Sequence, residues 1–308
     1  MTPKMIMIVG LPASGKSYKA IELAEEFNAN IHSSDSIREE LLNDVNNQDN
    51  NNLVFQTLHK RIKEDLRNHK NCIYDATNIS YKRRMAFLQE LNNIDCDKIC
   101  VFMATPYEEC IARNNARSRK VPEAVIEKMY KQIDVPDLYE GWDVIKLVYA
   151  PNSDNYYGLL DEWIKSVDNY NQDNTHHALS LGEHCRQTYS YIKKISDCDT
   201  YCKKELLIAG LLHDCGKPFC KTFENSKGET TKQAHYYHHE NVGAYNSLFY
   251  DYGLLAKHSI AILIRLHMLP YFWEKDNNTK MQNKYRKLWG EELYNAVMLL
   301  HDADKSAH

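Results

Sequence analysis

Several features are missing from this 308-residue chain, and each absence narrows its function. No apolar run approaches the roughly 18 residues that a membrane span needs, so no membrane partner is expected. The apolar opening "MIMIVG" leads directly toward Gly15, Lys16 and Ser17, and reads as a buried strand rather than a signal core. None of the nine cysteines forms a C-x-x-C pair, and they are scattered over both halves. That argues against a zinc ribbon or a disulfide framework and for free thiols in a reducing cytoplasm. Charge of one sign is also lacking: 38 Lys+Arg face 42 Asp+Glu, for a net charge of -4. Proteins that coat nucleic acid through bulk electrostatics are usually basic. Any nucleic-acid contact must then be local, with "YKRR" (81–84) and "RNNARSRK" (113–120) as candidates. There is no internal repeat.

What is present is an ordinary globular composition, 43% hydrophobic and 26% charged, in a chain long enough for about two domains. Up to residue 149, short apolar runs ("KMIMIVG", "NCIYDAT", "KICVFMA", "DVIKLVY" and a weaker "NIHSS") alternate with amphipathic stretches such as "YKAIELAEEF" and "YKRRMAFLQELNN". This alternation predicts a parallel sheet covered on both faces. "NNQDNNN" (46–52) reads as a polar loop. After the turn formers of "APNSDNYYG" (150–158) the strand pattern stops and helical spacing takes over, as at Leu159, Leu160, Trp163, Ile164 and Val167. Only three of the 14 histidines precede residue 150, and eleven follow residue 170. Two domains are expected, residues 1–152 and 153–308.

"GLPASGKS" (10–17) matches G-x-x-x-x-G-K-[ST] between a predicted strand and a predicted helix. Glycines there let backbone N–H groups wrap phosphates, Lys16 reaches the transferred end, and Ser17 would hold Mg2+. The expected cradle comprises Gly10, Ala13, Ser14, Gly15, Lys16, Ser17 and Tyr18, with ATP and Mg2+ as cofactors. In "HSSDSIREELL" (32–42), Asp35 and Arg38 share one face if the helix has begun. Two readings stand. Asp35 or Ser34 could be an N-cap, with Ser36 and Glu39 forming a capping box. Alternatively, Asp35 accepts a hydroxyl proton while Arg38 binds a phosphate beside it. Asp75 ends a buried strand in "CIYDATN", where it could touch Mg2+ or its waters. Arg113 and Arg117 lie one helical turn apart, as a solvated basic face or as a lid closing over a triphosphate.

The order GxxxxGKS, D-x-x-R, D-A-T-N and R-N-x-x-R-x-x-x-V-P resembles the 5′-OH polynucleotide kinases of phage and bacterial end-healing enzymes, over about residues 4–149. The resemblance implies phosphate and metal roles for Lys16 and Ser17, a general base in Asp35, an acceptor-phosphate ligand in Arg38, and a lid in Arg117 with Arg113. One departure is the alanine in "YDATN", where phage relatives more often read D-T-N.

In "AGLLHDCGKPF" (209–219) an apolar run ends in adjacent His213 and Asp214. Both need partners in an apolar setting, and a divalent cation would satisfy the two together. Further ligand candidates are His184, His239, His267 and Asp302. Taken in order, H…HD…H…H…D resembles the HD-domain phosphohydrolases, an all-helical family, over about residues 170–308. The resemblance implies that His184, His213, Asp214 and Asp302 hold a first metal. His239 and His267 would hold a second metal or the scissile phosphate, and Lys217 would stand near that phosphate. His238 competes with His239, but "HE-x-x-G" favours His239, while His176 and His177 fall where substrate could approach. The ligand types admit Mn, Fe, Co, Ni, Cu or Zn.

The expected architecture is therefore an α/β P-loop kinase domain, with a parallel sheet flanked by helices, followed by an all-α HD domain. The joint expectation is nucleic-acid end healing, with RNA ahead of DNA as partner. ATP would phosphorylate a 5′-OH end, and a terminal 2′,3′-cyclic, 2′- or 3′-phosphate would be hydrolysed. A ligase would be the partner that joins the healed ends. Fusions of this type carry the HD module first, whereas here it comes second. Two alternatives remain open: a nucleoside or nucleotide kinase fused to an HD nucleotidase, and a non-catalytic nucleotide sensor.

Overall fold

The computed structural model describes residues 2–47, 49–175, 178–195, 203–275 and 278–307. The chain divides into two compact units: Met1–Met129 with Pro136–Ser153, and Tyr130–Val135 with Asp154–His308.

The first unit follows the predicted alternation. Its order is β1 (Lys4–Val9), α1 (Lys16–Phe27), β2 (Asn30–Ser33), α2 (Ser34–Leu42), α3 (Asn51–Arg67), β3 (Cys72–Asp75), α4 (Tyr81–Glu90), β4 (Asp97–Ala104), α5 (Tyr107–Ala116), α6 (Glu123–Lys131) and β5 (Val144–Tyr149). The sheet is parallel, with strand order β2-β3-β1-β4-β5. After Lys4, central β1 is apolar because neither face meets water, and Met5 to Val9 are each at most 1% exposed. Ile6, Ile8, Ile73, Val101 and Met103 pack with Ala20 and Leu23 of α1. On α3, Val54, Leu58, Ile62 and Leu66 recur every fourth residue and are all buried. The polar stretch expected to be a loop through residue 52 is shorter than predicted, because α3 begins at Asn51. Its buried stripe outweighs the poor helix propensity of asparagine.

Part of the "YKRR" patch turns inward. Arg84 is buried, donating from Nε and Nη2 to Glu140 at 2.7 and 2.6 Å and from Nη1 to the carbonyls of Asn78 and Ile79. Trp142 Nε1 donates to the same carboxylate at 3.0 Å. This arginine is a clamp within the first unit, not a nucleic-acid contact, while Lys82 and Arg83 remain exposed.

In the second unit the helices are α7 (Leu160–Ser166), α8 (Leu181–Ile195), α9 (Lys203–Leu212), α10 (Lys217–Cys220), α11 (His239–Ser247), α12 (Lys257–Leu266), α13 (Leu269–Lys275) and α14 (Thr279–Ser306). Gly290, at φ 80°, breaks the helical geometry of α14. Helix α8 packs on α9 and α14, α9 on α12, and α12 on α11. The unit is helical as expected, with one addition: β6 (Thr222–Glu224) and β7 (Thr230–His235) form an antiparallel hairpin. Threonine favours extended backbone, and the "NSKG" between them turns the chain through Gly228 at φ 79°. Among the described residues, no helix is long and apolar enough to cross a membrane.

Removing one partner of a buried ion pair leaves the other charge uncompensated. Glu140→Gln should therefore destabilise the first unit by about 3–5 kcal/mol. The check is calorimetry: the transition of the first unit should fall in temperature while that of the second unit stays in place.

Candidate functional site

The first site lies at the carboxyl ends of the parallel strands, the usual position for ligands in such sheets. Between β1 and α1, Ala13 and Gly15 adopt positive φ of 62° and 97°, which curls the loop. Gly10 has no room for a side chain: a Cβ there would stand 2.8 Å from Ser14 Oγ and 3.0 Å from Met103 Cβ. Neighbouring loops fasten the curl. Gly10 N donates to Thr77 O at 3.0 Å, Asn78 Nδ2 to Ile8 O at 2.9 Å, and Thr105 Oγ1 to Ser14 O at 3.1 Å. The residues after Asp75 in "DATN" thus brace the loop from behind.

Lys16 Nζ donates to Leu11 O at 2.6 Å. Burial lowers its pKa, opposed chiefly by the Asp75 carboxylate. Ser17 Oγ donates to Asp75 Oδ2 at 3.2 Å, and burial raises the Asp75 pKa against the pull of Lys16 and Ser17. A hydroxyl beside a carboxylate at the start of α1 suits a hard Mg2+ ion. Tyr18 differs from its neighbours in the expected cradle: the residue is 85% exposed.

Asp35 lies in the first turn of α2, whose N-cap is Ser33; the Ser33 hydroxyl accepts from Asp35 N. This corrects the capping alternative, since helix geometry begins before Ser36 and Ser36 with Glu39 forms no capping box. The Asp35 side chain is therefore not spent on capping. Arg38 Nη1 donates to Asp35 Oδ1 at 3.3 Å, and Arg38 Nη2 to Asn51 Oδ1 at 2.7 Å. A residue not singled out from the sequence completes the group: Arg119 Nη1 donates to Asp35 Oδ2 at 2.7 Å.

The two expected lid arginines part company. Arg113 Nε donates to Glu109 at 2.7 Å, and its Nη1 lies 3.9 Å from where a Cβ on Gly15 would stand. Arg117 ends α5 and donates from Nη2 to Asn114 Oδ1 at 2.8 Å. Asn114 also exchanges both hydrogen bonds with the backbone of Val121 and so closes the "RSRK" loop.

The second site is a buried cluster in the helical unit. His213 and Asp214 stand in the turn after α9 rather than on a helix, and His213 Nδ1 donates to the Gly210 carbonyl at 2.9 Å, one of the helix's orphan acceptors. The same device recurs. His239 Nδ1 donates to Tyr236 O at 2.8 Å, His267 Nδ1 to Ile264 O at 2.6 Å and His184 Nδ1 to Ala307 O at 2.7 Å. With every Nδ1 proton committed to a carbonyl, all four Nε2 atoms are left for the interior.

Those atoms fall into two groups around Asp214. Its Oδ2 lies 3.3 Å from Nε2 of both His184 and His213, and its Oδ1 lies 3.2 Å from His239 Nε2 and 3.9 Å from His267 Nε2. His184 and His213 approach Nε2 to Nε2 at 3.1 Å, and His239 and His267 at 3.3 Å. Lone pairs meeting at such distances require a proton or a cation between them. His184, His213 and Asp214 form one candidate ligand set, and Asp214, His239 and His267 another. The donor types fit divalent transition ions.

The expected ligand Asp302 is not part of this cluster. It is exposed, whereas Asp304 is buried with Oδ1 3.0 Å from His184 Nε2 and 3.4 Å from His213 Nε2. The buried face of α14 runs Val297, Leu300, Ala303 and Asp304, and two residues along a helix put Asp302 on the opposite side. The dipeptide His301-Asp302 imitates an HD pair, but His301 Nε2 faces Glu274 at 3.0 Å. Apolar spacing on α14, not the dipeptide, was the usable signal. Tyr271, also unforeseen, donates its hydroxyl to Asp304 Oδ2 at 3.1 Å.

Lys217 is buried, with Nζ 2.6 Å from Asp214 Oδ2 and donating to Gln172 Oε1 at 2.8 Å. His238 is exposed and His239 is buried. His176 and His177 lie outside the described residues. Burial would lower the His213 pKa, but Asp214 and Asp304 override it and push it up to about 10. Burial would raise Asp214, but Lys217 and His213 hold it well below the carboxylate range. Burial, with His213 and His239 nearby, lowers His267 to about 3.

Glycine lets α11 reach this turn. A Cβ on Gly216 would lie 2.1 Å from His239 O and 2.7 Å from Gly243 N. Backbone thus touches backbone, which explains both the glycine of "HDCGK" and that of "HENVG".

Residues 5–136 match the AAA domain family and residues 181–307 match the HD domain family. A curated relative, an L-seryl-tRNA(Sec) kinase of Methanococcus maripaludis, is 28% identical over 173 residues, 54% of this chain and 67% of that protein. Among solved structures, the APS kinase of Mycobacterium tuberculosis is similar with TM-score 0.38 at 16% identity, covering 49% of this chain and 90% of that one. A chain of a Pnkp1/Rnl/Hen1 RNA repair complex is similar with TM-score 0.36 at 25% identity, covering 42% and 44%.

An alanine at Gly216 must push α11 away and carry His239 off Asp214. Gly216→Ala should bind Mn2+ about 10-fold more weakly or worse. Titration calorimetry on the metal-stripped protein measures this, and unchanged affinity would show that α11 does not contribute to the ion site.

Proposed function

Starting from a P-loop AAA-type domain joined to an HD domain, we propose that this chain heals nucleic-acid ends, with RNA as the main substrate. The first unit transfers the γ-phosphate of ATP to a 5′-hydroxyl. The second hydrolyses a terminal 2′,3′-cyclic, 2′- or 3′-phosphate.

The observation that carries the kinase half is the setting of Asp35. Its charge acts on both Lys16 and Asp75, so it stands close to the phosphate loop. A guanidinium lies at each of its oxygens. A proton acceptor between two anion grips suits a hydroxyl that has a phosphate next to it, as at a polynucleotide end. Lys16 and the curled backbone hold the triphosphate, and Asp35 takes the hydroxyl proton as the oxygen attacks phosphorus and ADP departs. Arg113, beside Gly15, and Arg117 offset charge on the transferring group. The 28% identical relative is, by its name, a kinase acting on a group carried by tRNA, which favours an RNA-linked acceptor.

In the second unit His184, His213, Asp214 and Asp304 would hold one ion, and Asp214, His239 and His267 another. Transition-metal ions bound there would supply charge neutralisation for phosphoryl oxygens and a lowered pKa for an attacking water. Asp214 ties the two groups together through its separate oxygens, and the backbone carbonyls that take each Nδ1 proton keep the Nε2 atoms facing inward. Lys217 adds a buried cation at the rim of the same carboxylate, suited to a substrate phosphate. End healing needs both conversions, because ribonuclease transesterification leaves a 5′-OH and a 2′,3′-cyclic phosphate.

The test is one RNA oligonucleotide bearing both ends, given with ATP and a panel of divalent metals. Label should enter the 5′ end and the cyclic phosphate should open or depart. Label on free nucleosides alone would favour a small-molecule kinase, and no turnover of ATP or any phosphoester would favour a sensor.

The two activities should also separate by mutation. Lys16→Ala or Asp35→Ala should lower phosphorylation at least about 100-fold and leave hydrolysis intact. His213→Ala should do the reverse, with bound metal lost by elemental analysis.

A further inference from the structure

The basin around Asp35 contains more positive charge than its carboxylate can balance. Arg38 and Arg119 hold its two oxygens at 3.3 and 2.7 Å. Arg117 is close enough that both Arg119 and Asp35 act on its charge. Three guanidiniums therefore crowd one carboxylate. Among the described residues, the buried Nε atoms of Arg38 and Arg117 have no hydrogen-bond partner. Arg38 is 5% exposed, so its unused donor is a desolvated cationic N–H of the kind that an incoming anion satisfies.

The arginines are held differently. Arg38 is fixed from behind by Asn51 at 2.7 Å. Arg119 has a side chain 44% exposed, and apart from Asp35 it makes long contacts, from Nε to Asn46 Oδ1 at 3.3 Å and from Nη2 to Val45 O at 3.5 Å. An exposed guanidinium with such partners leaves them readily for a better anion. While it stays, both oxygens of Asp35 are occupied by guanidiniums.

We propose that Arg119 gates the acceptor site: it pairs with Asp35 at rest, and the phosphate on the 3′ side of the acceptor nucleoside draws it away and frees Oδ2 for the 5′-hydroxyl proton. The gate makes the enzyme selective for a 5′-hydroxyl nucleotide that carries a phosphate, over a bare nucleoside. Nothing covalent occurs at Arg119; it exchanges one oxyanion for another. This inference rests on the kinase reading given above.

The experiment compares wild type, Arg119→Ala and Arg119→Lys as full chains on three acceptors: a nucleoside, its 3′-monophosphate, and a 5′-OH oligonucleotide. For Arg119→Ala, KM for the phosphate-bearing acceptors should rise about 10-fold or more, with a smaller change in kcat. The preference over the bare nucleoside should shrink by a similar factor. Lysine, which keeps the charge but loses the fork, should fall between the two. A rise with the oligonucleotide alone assigns the contact to a bridging diester, and a rise with both assigns it to the first 3′-phosphorus; either upholds the gate. Thermal melting keeps a folding defect apart from a binding one. A change in KM below about 2-fold, or an equal rise for all three acceptors, overturns the gate and leaves the kinase reading standing. If wild type phosphorylates no 5′-hydroxyl at all, the kinase reading fails and takes the gate with it.

Discussion

A buried carboxylate must be compensated from every side it presents, and in the helical unit Asp214 presents two. Its Oδ2 faces His184, His213 and Lys217, and its Oδ1 faces His239 and His267. Leaving such a group unpaired at this depth would be strongly unfavourable. The packing of α8, α9, α10, α11 and α12 therefore has to bring five side chains to one point. The backbone carbonyls that take each Nδ1 proton are equally necessary. Without them the rings could turn or change tautomer, and the Nε2 lone pairs would no longer converge.

The first unit solves a different problem, that of holding anions without a bulk positive charge. Its net acidity rules out a broad electrostatic attraction, so grip comes from backbone N–H groups and a few placed cations. The parallel sheet supplies the frame. Its strands end together, and the loops after β1, β3 and β4 lash one another through Gly10, Thr77, Asn78, Ser14 and Thr105. The same edge receives Asp35 after β2, beside residues that arrive from as far along the chain as Arg119. Arg84 shows the opposite use of a cation: paired with Glu140 and out of solvent, it braces the frame and takes no part in grip.

Much of this was legible in the residues. Continuous apolar runs marked the buried strands because a parallel strand meets no water on either face. "GLPASGKS" marked its own loop because few backbones other than a glycine-punctuated turn into a helix can wrap a phosphate. The histidines and the His213-Asp214 pair were visible because imidazole and carboxylate in an apolar run need a shared partner. Less was legible where one short stretch offered two equal choices. His301-Asp302 looks like a ligand pair, but helical phase turns Asp302 to solvent and Asp304 inward. Arg119 is one basic residue among four in "RNNARSRK", and composition could not say which of them reaches Asp35. The hairpin around Gly228 was missed because strands of three and six residues barely register against helical surroundings.

The sequence by itself determined the alternation of strand and helix, the phosphate loop, the change to helices after residue 150 and the supply of ligand types. These follow from local rules: periodicity, turn chemistry and the cost of burying charge. Only the tertiary structure decided which atoms meet. Asp304 over Asp302, Arg119 beside Asp35, and the seating of α11 on the His213 turn depend on helix phase and on backbone contacts such as Gly216 against His239. Those contacts join segments tens of residues apart, and their separation in space is fixed by packing that no local pattern encodes.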